Sequence, residues 1–198
     1  MEPTERPGGR TGVDDQGTIA MTLPELTLRY LADPDPRTLR KLREHVRAAP
    51  SFDRYAVIPT PSQRITADEA LQVVTDIVDR MPGWFLSPRA HAGLAAAYAE
   101  LGDNERAEQE SVLTRLAVSS VLSSGAGTAE QPWIVLRVAD EYDVLAALGC
   151  SSTRQELVTL EGRTLDRHSC DDGQERWFDV SPDEPPSETA SSPQEVGS

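Results

Sequence analysis

The spacing of hydrophobic residues changes once along this chain, near Gly127, and this change constrains the fold more than any other feature. Before it, apolar residues recur every three or four positions, as on one face of a helix. After it, short β-branched and aromatic runs are separated by turn residues, which is typical of strands. The sequence therefore predicts an α+β fold. A helical lobe over residues 22–124 is followed by a small lobe over residues 125–180, packed on it as one body, with a mostly antiparallel sheet and one helix.

Capping signals mark the ends of the helices predicted in the first lobe. Asp35 is an N-cap residue followed by proline at the first helical position, and Pro50 ends that helix. Thr66 and Glu69 have the spacing of a capping box, which begins another helix that ends near residue 82. Both helices carry apolar residues on one face, so each is expected to pack against a core.

Two further helices are predicted to form an antiparallel hairpin. Ser87 begins the first and Asp103 begins the second, and only Gly102 and Asp103 join them, so the chain must fold back on itself. The small and aromatic residues of AHAGLAAAYAELGDNERA have the spacing of a tetratricopeptide repeat. Stable arrays of this kind need about three repeats, and one is visible. The prediction is therefore a single tetratricopeptide-like hairpin within the helical lobe.

The second lobe is predicted to contain four strands and one short helix. Trp133 begins a strand that runs to Val138, and Asp140 caps a helix that ends at Gly149. Gly-containing turn signals separate three further strands, expected over residues 155–160, 163–168 and 175–180.

Both ends of the chain are predicted to be disordered. Residues 1–20 have almost no large apolar side chain, and residues 181–198 form an acidic tail rich in proline and serine. Such segments cannot bury enough apolar surface to offset the entropy lost on ordering.

Charge and composition exclude several classes of function. The chain has 198 residues with 33 acidic and 19 basic side chains, a net charge of −14, which has the wrong sign for holding a phosphate backbone. No apolar run is long enough to span a membrane, and residues 1–20 lack the apolar run of a secretory signal. We therefore expect a soluble cytoplasmic protein that binds neither nucleic acid nor a membrane.

The helix that follows Asp35 is basic although the protein is acidic. It carries five basic residues and one acidic residue, whereas residues 139–180 hold ten acidic and four basic ones. Arginine side chains suit contacts with two carboxylate oxygens at once, which makes Arg40, Arg43 and Arg47 candidate binding residues. Three uses are open: a solvated helix face, docking on the acidic second lobe, or binding of an external acidic partner.

Gly125 and Gly127 lie in a segment that could be taken for a phosphate-binding loop. Such loops place backbone N–H groups at the start of a helix. These glycines instead follow the end of a helix, where the dipole presents partial negative charge, and no lysine is nearby. A helix stop followed by a crossing into the sheet is the favoured interpretation, with both glycines kept as candidate binding residues.

The segment Asp140-Glu141-Tyr142-Asp143 carries three carboxylates within four residues. Carboxylates can coordinate a hard cation or act as an acid and a base. Adjacent helical residues point about 100° apart, and acidic residues in a first turn suit the helix dipole. Capping and solvation are therefore favoured, and Glu141 and Tyr142 are kept as site candidates.

A zinc site is the other chemistry considered, at His168 and Cys170. No second pair of histidine or cysteine at ligand spacing completes a tetrahedral shell, so a strand followed by a turn is the favoured interpretation. We expect no metal and no cofactor, and the sequence assigns no catalytic residue.

Seven motifs resemble an uncharacterised bacterial family of domains of unknown function. In chain order they are Leu39-Arg40, FDRY from Phe52, the hairpin segment given above, SSGAGT, RVADEYDVLAALG, RQELV and RWFDV. The similarity covers about residues 30–180. It implies a helical first part, a compact α+β second part and a bacterial origin, and it carries no established activity.

The resemblance transfers motif positions rather than catalytic roles. Its members have SGxG, DEYxxLxxLG, QxLV and FDV motifs, matched here at Ser124, Gly125, Gly127, Glu141, Tyr142, Gln155, Leu157, Phe178 and Asp179. Relatives usually have an acidic residue where this chain has Ala126, which weakens the idea that this loop supplies a carboxylate ligand.

Two functions from different classes remain. The favoured one is a non-enzymatic cytoplasmic module that binds a protein or peptide, because tetratricopeptide-like hairpins present helical surfaces to partners. The alternative is a metal-dependent or acid/base hydrolase at the junction of the helical lobe and the sheet. It would use Glu141 and Asp140, with His168 as a possible third group. The oligomeric state is open.

Overall fold

The computed structural model describes residues 21–58 and 65–181 and has an α+β fold with six helices and one four-stranded sheet. The predicted fold class is confirmed. The predictions of disorder at the two ends concern residues that, apart from Ser181, lie outside those described. The helices are α1 (Leu23–Ala32), α2 (Pro36–Ala48), α3 (Ala67–Val78), α4 (Pro88–Glu100), α5 (Asn104–Leu122) and α6 (Val138–Ala147). The strands are β1 (Trp133–Ile134), β2 (Ser152–Leu160), β3 (Arg163–Cys170) and β4 (Glu175–Asp179).

The helices begin where local capping chemistry places them. Asp35 accepts hydrogen bonds from the backbone N–H groups of the first turn of α2, and Thr66 and Glu69 form the capping box of α3. Ser87 and Asp103 cap α4 and α5 in the same way. Because these side chains satisfy backbone donors that the helix itself leaves unpaired, the helix starts could be predicted from the sequence.

Helices α4 and α5 form the antiparallel hairpin expected from their short connection. Gly102, with φ of 78°, turns the chain between them, a conformation that costs glycine little. His91 of α4 lies between the helices, with Nδ1 2.6 Å from Glu110 Oε2 of α5. The hairpin is the centre of the helical lobe, with α3 packed on one side of α4.

The sheet has the strand order β1-β4-β3-β2. The pairs β2–β3 and β3–β4 are antiparallel, whereas β1 runs parallel to β4. The sheet is therefore mostly antiparallel, as predicted, with β2 at its outer edge. Thr153 has no cross-strand partner in the register, which shifts between Ser152 and Arg154 as at a β-bulge.

The predicted strand from Trp133 to Val138 and the predicted cap at Asp140 are both wrong. Strand β1 has only two residues, and α6 already begins at Val138 with Arg137 as its N-cap. Arg137 N donates to Asp140 Oδ2 at 3.1 Å, so Asp140 occupies the third helical position and satisfies the start of the helix from there. This local contact outweighs the β-propensity of the preceding Ile134 and Val135.

Three apolar clusters hold the two lobes together. One joins α1 and α2 to Leu86, Leu116 and Leu136, and another packs α3 and α4 around Trp84. The third lies between α6, the end of α5 and the sheet, and includes Trp133 and Phe178. The junction of helical lobe and sheet is therefore a packed interior, and it sets the environment of every acidic side chain on α6.

Candidate functional site

The structure places the three candidate arginines of α2 in one cleft, which we call the arginine cleft. It has a volume of about 470 Å³ and lies between α1, α2 and the segment that follows α5. Its lining includes Arg40, Arg43, Arg47, Tyr30, Leu39, Ser123, Ser124 and Ile134. The arginines meet there because residues three and seven positions apart share a helix face.

Arg43 is buried and serves the structure of the arginine cleft. Its Nη2 donates to Ser120 O at 2.8 Å and to Ile134 O at 3.1 Å. The carbonyl groups at a helix end carry partial negative charge, so the guanidinium ties α2 to the end of α5 and to β1. Arg43 thus contacts the second lobe through the carbonyl oxygen of Ile134, whereas Ser120 belongs to the helical lobe itself. Arg40 is exposed.

The loop with Gly125 and Gly127 is shaped by contacts within the chain. The N–H groups of Ala126, Gly127 and Thr128 all donate to Gln131 O, at 2.8, 3.0 and 3.3 Å. A Cβ at Gly125 would lie 2.3 Å from Pro132 O, and one at Gly127 would lie 2.6 Å from the Trp133 ring. The donors that a phosphate would need are therefore occupied, and both glycines are required by close packing.

A second group of polar side chains lies between α6 and the sheet. His168 Nε2 is 2.7 Å from Glu141 Oε2, and His168 Nδ1 is 2.8 Å from Ser152 Oγ. Glu141 and His168 are both fully buried. We call this group, with the residues connected to it, the carboxyl network; its members are Glu141, Tyr142, Ser152, Gln155, Asp166 and His168.

The carboxyl network continues from the interior to the surface. Asp166, also buried, accepts a hydrogen bond from Gln155 Nε2 at 2.9 Å. Gln155 Oε1 in turn accepts the hydroxyl proton of Tyr142, whose side chain is part exposed. Burial raises the pKa of Glu141 to about 7; the hydrogen bond from His168 lowers it and the nearby Asp166 carboxylate raises it.

Asp140 and Asp143 point away from the carboxyl network. Asp140 Oδ2 lies 3.5 Å from Arg137 Nη1, and Asp143 Oδ1 lies 2.7 Å from Arg89 Nη2. The three carboxylates therefore diverge, as the helical spacing predicts. The expectation that Asp140 and Glu141 are solvated is wrong, because α6 packs against α4, α5 and the sheet and both side chains are buried. Burial raises the pKa of Asp140 to about 7.

The residue types considered for zinc do not assemble into a site. Cys170 lies on the same face of β3 as His168, but it packs with Cys150 in the apolar cluster of the second lobe, and both thiols are free. Burial raises the pKa of the Cys170 thiol to about 11. Among the residues that the structure describes, no three histidine, cysteine, aspartate or glutamate side chains are grouped so as to hold a metal ion.

Sequence reasoning missed Ser152 and Asp166 as members of this site and treated Gln155 only as a hydrogen-bonding residue at a strand edge. Asp166 and His168 alternate along β3, so a strand period of two places both on one face. That signal could have linked them. Ser152 carries no such signal. Its contact with His168 depends on the register of β2 against β3, which shifts between Ser152 and Arg154.

These observations define an α+β protein in which a helical lobe with an antiparallel α4–α5 hairpin packs on a small mixed sheet. Residues 55–185 match the family model described as a domain of unknown function, DUF4919. The match covers more than half of the chain, so this protein belongs to that family. It includes the carboxyl network but not Arg40, Arg43 and Arg47.

The other comparisons add no relatives. No curated protein and no solved structure matches the chain. Within residues 21–58 and 65–181, no helix combines the length and the apolar character needed to cross a membrane.

Proposed function

We propose that this protein acts in the bacterial cytoplasm as a binding module that takes an acidic peptide segment of a partner protein in the arginine cleft. The observation that carries the proposal is the exposed side chain of Arg40 in a cleft of about 470 Å³ that Arg43 and Arg47 also line. That volume lies within the range of about 300–1,000 Å³ that is usual for ligand sites.

The chemistry of the lining supports an acidic occupant with some apolar character. Guanidinium groups hold carboxylates through two parallel hydrogen bonds, and the exposed Arg40 is placed to do this. Tyr30, Leu39 and Ile134 offer apolar surface beside it. The chain as a whole carries a charge of −14, so an acidic segment is repelled elsewhere and attracted only to this basic face.

A titration with an acidic peptide tests the proposal. A fluorescent peptide that alternates glutamate with leucine is titrated with the full chain and followed by fluorescence anisotropy. We expect saturable binding that weakens with added salt and a loss of about 5–10-fold in affinity for Arg40→Ala, because one charged hydrogen-bond donor is removed.

Arg115→Ala is the matched control. Arg115 is an exposed arginine of α5 that is not among the residues lining the cleft, and it has a long contact of 3.4 Å to Glu108. This variant should bind as the wild type does. Equal affinities for Arg40→Ala and the wild type, or no binding at all, would contradict the proposal.

The acid/base hydrolase is the second candidate, and one observation favours it. Glu141 and His168 meet in the interior at the junction of helical lobe and sheet, where that hypothesis places its site. Asp140 does not contribute, because it is held by Arg137. The metal-dependent form has no support from the described residues, which contain no group of three suitable ligands.

A further inference from the structure

Three side chains from separate elements form a continuous hydrogen-bonded chain at the junction of α6 and the sheet. Ser152 Oγ lies 2.8 Å from His168 Nδ1, and His168 Nε2 lies 2.7 Å from Glu141 Oε2. The order is hydroxyl, imidazole, carboxylate. Proteins activate a serine oxygen as a nucleophile with the same three groups in the same order, although in the serine-protease triad Nε2 rather than Nδ1 faces the serine. The chain lies apart from the arginine cleft.

The carboxylate determines which nitrogen of His168 can accept a proton. An ionised Glu141 accepts the Nε2 proton, which leaves the lone pair of Nδ1 directed at Ser152. The imidazole ring is also held in place by packing, because the rings of Tyr142 and Phe178 meet it edge-on at centroid distances of 5.3 and 5.4 Å. The base is therefore oriented before any substrate arrives.

Ser152 is the member of this chain that reaches the surface. It is the first residue of the outer strand β2 and is half-buried, whereas His168 and Glu141 are fully buried. The register shift at Thr153 follows it directly, and such bulges re-aim neighbouring side chains next to active sites. Arg154 O lies 3.2 Å from Ser152 Oγ and is a second acceptor for its proton, at a longer distance than His168 Nδ1.

We propose that Ser152 is the nucleophile of an acyl-transfer site that acts on small carboxylic esters, with His168 as its general base and Glu141 as the positioning residue. The serine oxygen bonds to the ester carbonyl carbon while its proton passes to His168 Nδ1. The ester C–O bond breaks, and the alcohol leaves with that proton. A water molecule then bonds to the acyl carbon as its proton passes to His168. The bond between the acyl carbon and Ser152 Oγ breaks, the proton passes from His168 to Ser152 Oγ, and the free acid leaves.

The test uses the full chain at pH 8 and a fluorophosphonate, which forms a P–O bond with an activated serine and releases fluoride. We expect one adduct per chain, located on Ser152 by peptide mass spectrometry, and an acyl adduct on the same residue after mixing with p-nitrophenyl acetate. Ser152→Ala abolishes both adducts. Ser151→Ala, a change at the exposed neighbour, leaves the labelling rate unchanged.

Glu141→Gln tests the positioning role without removing the serine. The amide cannot stabilise the imidazolium as a carboxylate does, so the maximal acylation rate should fall by about 100-fold or more, with the half-saturating ester concentration unchanged. If Glu141 only stabilised the fold, Glu141→Gln would lower the melting temperature and leave the acylation rate of the folded protein as in the wild type. Circular dichroism at pH 8 confirms that each variant is folded.

Three outcomes overturn the proposal: labelling of a residue other than Ser152, equal labelling of Ser152→Ala and the wild type, or no reaction of the folded wild-type chain with either reagent. None of them bears on the arginine cleft, since peptide binding is measured separately.

Discussion

Burial raises the pKa of all three carboxyl groups of α6, Asp140, Glu141 and Asp143. Burial raises the pKa of both Asp140 and Glu141 to about 7, whereas in the unfolded chain such groups ionise near pH 4. Between about pH 4 and pH 7 these two groups therefore hold more protons in the folded protein than in the unfolded chain. Their contribution to the free energy of unfolding then falls as the pH rises through that window.

Replacing Glu141 by Gln should reduce this dependence on pH. The variant lacks one of the raised carboxyl pKa values, so from pH 5 to pH 8 its free energy of unfolding should fall by about 2–3 kcal/mol less than that of the wild type. Urea unfolding followed by circular dichroism at the two pH values measures the difference. Glu44→Gln, a change at an exposed carboxylate of α2, is the control, and parallel curves for Glu141→Gln and the wild type would refute the expectation.

At the scale of elements, the connection between α5 and β1 depends on the glycine at position 127. Gly127 has φ of 71° and lies under the indole ring of Trp133. An alanine there adds the cost of a left-handed backbone to that of a Cβ placed 2.6 Å from the ring. The fold of this loop therefore requires glycine for two separate reasons.

We expect Gly127→Ala to lower the free energy of unfolding by about 2–4 kcal/mol. Gly102→Ala is the matched control: its φ of 78° is similar, but nothing lies within 4 Å of the added Cβ, so only the backbone cost of about 1 kcal/mol applies. Chemical denaturation of both variants gives the comparison. Equal losses for the two would show that the contact with Trp133 costs nothing.

The elements could be predicted wherever a short-range signal determines them. The caps at Asp35, Thr66 and Asp103 act over two or three residues, and the α4–α5 hairpin follows from a connection of only three residues. Periodicity predicts a strand at the start of α6 because it does not weigh the hydrogen bond from the backbone N–H of Arg137 to the Asp140 carboxylate, which stabilises the first turn of the helix.

The candidate site was less predictable than the elements because its contacts join distant parts of the chain. Glu141 and His168 are 27 residues apart, and Ser152 and His168 are 16 apart. Their meeting depends on where α6 packs on the sheet and on the pairing of β2 with β3. Sequence reasoning therefore identified Glu141 and Tyr142 as candidates but expected Glu141 to face solvent.

At the scale of the whole molecule, Arg137 joins the two lobes. Its side chain is fully buried, donates to Gly83 O in the helical lobe and lies over the ring of Phe52 at 5.3 Å. The helical lobe also provides Arg54 O as acceptor for the N–H of Val138. A boundary crossed by such contacts should not separate into independently folding parts.

We expect the protein to unfold in one transition, with coincident curves for the helical circular dichroism signal and tryptophan fluorescence. Arg137→Ala should lower the free energy of unfolding by about 3–5 kcal/mol, because it leaves Asp140 buried without its partner. Both curves should move together. Arg154→Ala, at an exposed arginine of β2, should shift neither curve measurably. Two separated transitions in the wild type would contradict a single cooperative body.

The outer position of β2 has a consequence for how copies of this protein behave together. Among the strands that the structure describes, β2 pairs only with β3, and a free strand side is a template on which another chain can add and begin aggregation. Here the charges of Arg154 and Glu156 and the irregularity at Thr153 interrupt that template. The start of β2, which contains Ser152, thus also disfavours edge-to-edge pairing of β2 between copies of the protein and the growth of fibres by such pairing.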